Sequence, residues 1–277
     1  MPLSVVDLYQ KILPRTNCRE CGFPTCLAFA SMVVSEKHPL ENCPHVPPEV
    51  LAEAKKELEA QYAAGKWTKR DMAADALQWA KERAASMKIE DLPDRIGGEL
   101  VEMDGETVLK LPYFTGAVFI REGAISHDDG SDLNRWEQVF LFNHLAQGGS
   151  VQPTGDWKAL EAFPNTVSKV KSMRAHVEAP LRECFTGRRD ALREAALAIG
   201  GVDKTVGMDS ADLAVALRPL PRVPVMVMFW DAEAEEGMDA EVKLHFDVTI
   251  TQLLDIESIM FLSERIQALL CDHGAAA

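Results

Sequence analysis

The sequence predicts an α+β protein, a small helical module carrying four cysteines followed by a larger mixed domain with antiparallel strands and several helices. Three observations carry this fold class. Helical spacing of apolar residues runs from the N-terminus to about residue 87, and four cysteines sit early within it. After residue 98 the period drops to that of short β-rich runs joined by turn signals. Strands and helices then recur in segregated blocks, which argues against a doubly wound sheet. The expected division is residues 1–62 for the cysteine module, 63–98 for a helical linker and 99–277 for the α+β domain.

In chain order, Ser4 caps a short helix with Val5, Leu8, Tyr9 and Ile12 on one face, ended by Pro14. Thr25 is a good N-cap for a helix over Cys26–Lys37, where Ala30, Val33 and Val34 continue the apolar face. Pro48 opens a third helix to about Tyr62, and Asp71 a fourth to about Met87. Residues 88–98, with a proline, two glycines and no lasting period, read as a linker or a domain edge. Leu100–Met103, Thr107–Leu111 and Val118–Arg121 are strands, the first two joined by the hairpin pair Asp104-Gly105. Asn134 caps a helix that stops at Gly148-Gly149, and further helices are expected over 157–163, 166–182 and 190–199. Strands return at Leu213–Leu217, Val223–Trp230 and Val242–Val248, and a closing helix covers Ile256–Leu270.

Composition bounds the function. Hydrophobic residues make up 47% and charged residues 26% of the 277, as in ordinary folded domains. A net charge of -14 and a pI near 5.0 repel phosphate backbones and argue against nucleic acid as a partner. The N-terminus lacks a basic, then apolar, leader and no apolar run is long enough to span a membrane, so the expected location is cytoplasmic.

Four of the six cysteines follow the spacing Cys18-x2-Cys21-x4-Cys26-x16-Cys43, with Pro44 after the last, whereas Cys184 and Cys271 stand far downstream with no readable role. Such clustering without a secretory signal favours metal over disulfides. Cys-x2-Cys places two thiolates on one tight loop, and Gly22 lets the backbone approach what they hold. Cys26 in the first turn of a helix has its thiolate favoured by the helix dipole. The x16 gap is filled by that helix and a short return loop. From spacing alone a structural zinc site stays open as the alternative, although zinc sites usually show two matched Cys-x2-Cys knuckles and only one is present.

The stretch from Leu13 through Asn17-Cys18-Arg19-Glu20-Cys21-Gly22-Phe23-Pro24-Thr25-Cys26 to Ala30 closely resembles the four-iron module of anaerobe redox proteins. That module occurs in the large subunit of the corrinoid iron–sulfur protein and in the B subunit of Rnf-type complexes. The resemblance covers about residues 3–46. It implies one low-potential [4Fe–4S] cluster held by Cys18, Cys21, Cys26 and Cys43. Arg19 departs from it, since the family commonly has glycine there; a cation at that place raises the cluster's reduction potential somewhat. The phrases Pro112-Tyr113-Phe114-Thr115-Gly116, Asn143-His144-Leu145-Ala146-Gln147-Gly148-Gly149 and Phe229-Trp230-Asp231 resemble an uncharacterised domain family fused to this module in anaerobic bacteria. That likeness implies no activity.

Other groups have bland readings. His144 reads as a hydrogen-bonded packing residue, and Gln147-Gly148-Gly149-Ser150 follows a helix rather than opening one, so it is no phosphate loop. The basic segment 165–189 with Lys169, Lys171, Arg174, His176, Arg182, Arg188 and Arg189 reads as a solvated face, or in a sharper reading as a docking surface. His176, Glu178 and Cys184 match no ligand pattern. Asp128, Asp129 and Asp132, and the acidic run from Asp231 to Glu241, read as solvent loops, and Met226 and Met228 as core. No catalytic signature is present.

The expected function is therefore single-electron transfer through one [4Fe–4S] cluster to a redox partner protein, or to a corrinoid or other small-molecule ligand handled by residues 99–277. The alternatives are an oxidoreductase with its active site in 99–277 and the cluster as internal relay, and an iron–sulfur sensor or assembly factor.

Overall fold

The computed structural model describes residues 3–64, 72–208, 211–233 and 237–276, which form two compact units, 1–72 and 73–277. The α+β expectation holds: among the described residues there are a small helical unit and a larger one with two antiparallel sheets.

In the first unit, α1 (Val5–Asp7) starts on a Ser4–Asp7 capping box and widens into a π turn over Leu8–Ile12, where the Leu13 N–H reaches the Leu8 carbonyl at 3.0 Å. Helix α2 (Cys26–Glu36) begins with Thr25 accepting the Ala28 N–H and ends on Lys37 in the left-handed region. Helix α3 (Pro48–Ala63) starts on a proline, as the sequence indicates. Leu8, Phe29, Ala30, Val33, Leu40, Ala54 and Leu58 form the core of this unit, and Cys26 and Cys43 belong to it. Two polar ties close it: Gln61 of α3 exchanges hydrogen bonds with the Leu3 backbone, and the Tyr62 hydroxyl donates to the Val33 carbonyl of α2.

The second unit begins in α4 (Met72–Ala84); the expected N-cap, Asp71, lies outside the described residues. Residues 88–98 fold into this unit at its N-terminal edge. A 3-10 turn over Ile89–Asp91 leads into α5 (Leu92–Ile96), and Leu92 and Ile96, four residues apart, are buried in the main core with Ala80 and Ala84 of α4. Pro93 at the first turn starts this helix instead of breaking it.

Strands β1 (Glu99–Met103), β2 (Glu106–Tyr113), β3 (Gly116–Arg121) and β4 (Ala124–His127) form a meander. Asp104 and Gly105 both have positive φ and close the first hairpin as expected, with Met103 opposite Glu106. β4 was not foreseen, since it is four residues long and recognisable only by its pairing with β3. Helix α6 (Arg135–Gln147) follows, with Asn134 and Glu137 in a capping box.

The second sheet has the order β5-β9-β8-β7-β6, built from β5 (Trp157–Ala159), β6 (Val202–Asp203), β7 (Leu213–Leu220), β8 (Val223–Trp230) and β9 (Glu241–Asp247). The expected helix over 157–163 is thus a strand followed by a 3-10 turn, because Trp157–Ala159 pair with Asp247–His245 of a distant strand. The expected helix 166–182 is α7 (Val167–Met173), a π turn over Arg174–Glu178, and α8 (Ala179–Phe185). Pro180 lacks the N–H that a regular turn needs there, and the wider turn accommodates it. Helices α9 (Arg189–Ala198), α10 (Ile250–Leu253) and α11 (Ile256–Ala276) complete the unit. The inner faces of β7, β8 and β9 present Leu213, Val215, Val225, Val227, Leu244 and Phe246 to the same core as α6 and α11. No described helix is long and apolar enough to cross a membrane.

Candidate metal centre

The loop before α2 is shaped by its backbone. Arg15, Asn17, Arg19 and Gly22 all have positive φ, a pattern of the kind that lines anion-binding concavities. Only Gly22 among them escapes the Cβ penalty, and no atom stands within 4 Å of where its Cβ would be, so the backbone there is open to close approach. Arg19 has φ 69, in the left-handed region that favours glycine.

Asn17 Oδ1 accepts the Cys26 N–H at 2.8 Å, joining the loop of Cys18 and Cys21 to the start of α2. Cys43 arrives from the other side, at the end of a 3-10 turn over Leu40–Asn42. Cys26 and Cys43 are buried, Cys21 is half-buried and Cys18 is exposed. Burial pushes the Cys43 thiol up, the His45 backbone N–H bound to it works in the other direction, and the nearby Cys21, Cys26 and Cys18 raise it further. The structure therefore brings all four cysteines to one locality. The rings of Phe23, Phe29 and His38 pack in tilted and edge-on contacts beside α2, with centroids 5.1–5.7 Å apart.

The donor set, four thiols that come together from residues 18 to 43, fits an iron–sulfur cluster. No three of the four thiol sulfurs fall within 4.8 Å of one another; among the described residues the group that meets this distance is Cys18, Glu20 and His45, all exposed. His45 Nε2 lies 3.1 Å from Glu20 Oε2 beside the exposed Cys18. Sequence reasoning missed Glu20, His45 and Asn17; Asn17 carried a signal, because asparagine tolerates positive φ and caps helices.

In the second unit the remaining candidates resolve into structure. His144 is fully buried, its Nδ1 3.0 Å from the Leu253 carbonyl, and burial pushes it down to about 4, so the ring is neutral. Its neighbours Asn143 and Gln147 hydrogen-bond Ser258 and the Thr251 carbonyl, so this stretch stitches α6 to α10 and α11. Arg95 and Arg222 hydrogen-bond carbonyls at and beyond the end of α6, where a cation is favoured and a phosphate is not. Buried Glu137 accepts from the Tyr113 hydroxyl at 2.8 Å and lies 2.8 Å from Arg265 Nε.

The basic segment is largely engaged: Lys169 pairs with Glu257 at 2.6 Å, Arg174 with Glu161 at 3.9 Å, and Arg188 donates to the Gly274 carbonyl. Glu178 faces Lys243 at 3.4 Å and not Cys184, so the trio with His176 does not assemble. Cys184 instead lies beside Cys271, where α8 meets α11, and burial with this thiol neighbour pushes Cys271 up to about 12. Asp128 accepts the Ala117 N–H of β3 and Asp129 the Ser131 N–H of its own loop. Asp231 accepts the Gly187 N–H, while Glu235 and Glu236 lie outside the described residues. Met226 and Met228 are buried on the outer face of the second sheet.

A family model described as "Putative Fe-S cluster" matches residues 13–45, and one described as "Domain of unknown function (DUF3786)" matches residues 88–268. The chain is similar to the corrinoid/iron-sulfur protein large subunit of Moorella thermoacetica, 52% identical over 46 residues, covering 17% of this chain and 10% of that one. It is similar to the acetyl-CoA decarbonylase/synthase complex subunit gamma of Methanocaldococcus jannaschii, 43% identical over 42 residues, covering 15% and 8%. A longer match at 26% identity over 188 residues, 65% of this chain and 35% of the other, is to subunit gamma 2 of that complex in Methanosarcina mazei. The chain thus spans from about a tenth to about a third of the length of these relatives. No solved structure matches it.

Proposed function

The chain belongs to the DUF3786 family, and from that premise we propose that it is a redox protein carrying one low-potential [4Fe–4S] cluster on Cys18, Cys21, Cys26 and Cys43, serving a partner in corrinoid or metalloenzyme activation. The observation that carries the reading is the convergence of these four thiols beside a loop with repeated positive φ, within the residues that match the iron–sulfur family model. Such a cluster, when bound, stores and releases one electron at a time.

The chain's own residues set how that electron is reached. Cys26 and Cys43 anchor the buried side, and the His45 N–H donates toward the Cys43 sulfur, which favours added negative charge. Cys18 occupies the exposed side, so a partner meets the centre there, between Arg19, Glu20 and His45. The names of the relatives, subunits of a decarbonylase/synthase complex and of a corrinoid protein, support a protein partner of that chemistry. The second unit is then the part that handles a small-molecule ligand.

Anaerobic reconstitution of the full chain with iron and sulfide tests this. The expected result is roughly four irons per chain and a one-electron paramagnetic signal on reduction, both lost in Cys43→Ala. Stoichiometric zinc in place of iron, or an unchanged signal in Cys43→Ala, overturns the assignment.

A further inference from the structure

A cavity of about 580 Å³, in the size range of small-molecule sites, opens on the outer face of the second sheet. Register places its floor. Val202 stands opposite Ala216, Ala216 opposite Met226, and Pro224 lies two residues from Met226 on the same face of β8. Trp157, opposite Asp247 on the edge strand, is half-buried, packs with the Met226 and Met228 cluster and forms one wall.

The walls are held from below. Buried Asp247 accepts the Gly155 N–H at 2.6 Å, the Thr154 hydroxyl at 3.3 Å, and the Thr249 N–H and hydroxyl at 3.0 and 2.7 Å. Those bonds spend the carboxylate and fix the loop that delivers Trp157. On the opposite wall the Lys204 N–H donates to the Ala214 carbonyl, while Asp203 accepts from Arg193 and the Thr205 N–H. Arg218 stands where the β7–β8 register shifts between Leu217 and Leu220, the kind of irregularity that re-aims a side chain.

Charge selects the occupant. Lys204 and Arg218 both line the cavity, both are exposed, and among the described residues neither has a carboxylate partner, although the chain carries a net charge of -14. Two unpaired cations lining one cavity with an indole and an apolar floor match a flat ring bearing an acidic group. We infer that this cavity binds a planar organic anion, its ring against Trp157 and its carboxylate or phosphate between Lys204 and Arg218. This locates the small-molecule part of the proposed function, and its test leaves the cluster assignment untouched, because every residue involved lies in the second unit.

The test is calorimetric titration of the full chain with 2-naphthoate and 1-naphthyl phosphate, with neutral 2-naphthamide as control. Saturable binding of at least one anion is expected, with the amide about tenfold weaker or worse, since each charge-assisted hydrogen bond is worth about that factor. Arg218→Gln with Lys204→Gln, at exposed positions that leave the core intact, abolishes the preference for the anion over the amide, and Trp157→Leu weakens both. A stronger anion for carboxylate than phosphate, or the reverse, identifies the acidic group. No saturable binding by either anion, or binding unchanged in the double variant, overturns the inference.

Discussion

Asn17 Oδ1 accepts the backbone N–H of Cys26 at 2.8 Å, so the loop bearing Cys18 and Cys21 and the helix bearing Cys26 are one mechanical unit. Thr25 satisfies the Ala28 N–H of the same helix end, and together they leave the first turn capped twice. Asn17→Gly removes the acceptor while keeping the positive φ of 52 accessible. A loss of about 1 kcal/mol in module stability is expected, with faster release of iron to a chelator from the reconstituted chain. Unaltered release kinetics would show that the bond does not hold the loop.

Arg19 pays for its place with left-handed backbone at φ 69. In Arg19→Gly, relief of ~1–2 kcal/mol of strain outweighs the ~0.5–1 kcal/mol of extra chain entropy that glycine brings. Stability therefore stays level or rises, and removing the cation lowers the reduction potential. Voltammetry and thermal unfolding of the reconstituted protein check both; a higher potential contradicts the electrostatic argument.

His144 is buried and neutral, with proton affinity pushed down to about 4 from an ordinary value near 6.5. Below its ordinary value the unfolded chain takes up a proton that the folded chain refuses. The contribution to stability is thus complete above about pH 6.5 and lost as pH falls toward 4. Urea midpoints across this range should fall with acid in the wild type and fall less in His144→Gln, in which the titrating group is gone. Parallel slopes would place the acid sensitivity elsewhere.

Cys271 runs the opposite way. Its thiol is pushed up to about 12 by burial and by Cys184, above the thiol's ordinary value near 8.5. Unfolding releases its proton between those values, so the stability it contributes is complete below about pH 8.5 and declines as pH rises beyond it. Iodoacetamide at neutral pH should label exposed Cys18 in cluster-free protein well before Cys271, as mass mapping of the labelled peptides would reveal. Comparable labelling rates would mean that Cys271 is far more acidic than its surroundings imply.

What the sequence made legible followed local physics. Thr25, Asn134 and Pro48 announced helix starts, and Asp104-Gly105 announced a hairpin, because caps and turns are satisfied within a few residues. Trp157–Ala159 and Ala124–His127 were misread or missed because a short strand exists only through its partner. Leu92 and Ile96 looked like linker because a five-residue helix has too little period to show, and burial decides it.

By itself, the sequence determined the α+β class, the cysteine spacing and the identity of the four candidate ligands, since those depend on residue type and order along the chain. Tertiary structure alone decided which thiols are buried and which one faces solvent, that Arg19 occupies left-handed backbone, that Cys184 meets Cys271, and that Lys204, Arg218 and Trp157 share a cavity. The physical reason is that backbone strain, burial and the meeting of distant side chains are settled by packing, to which residues far apart in the chain contribute together.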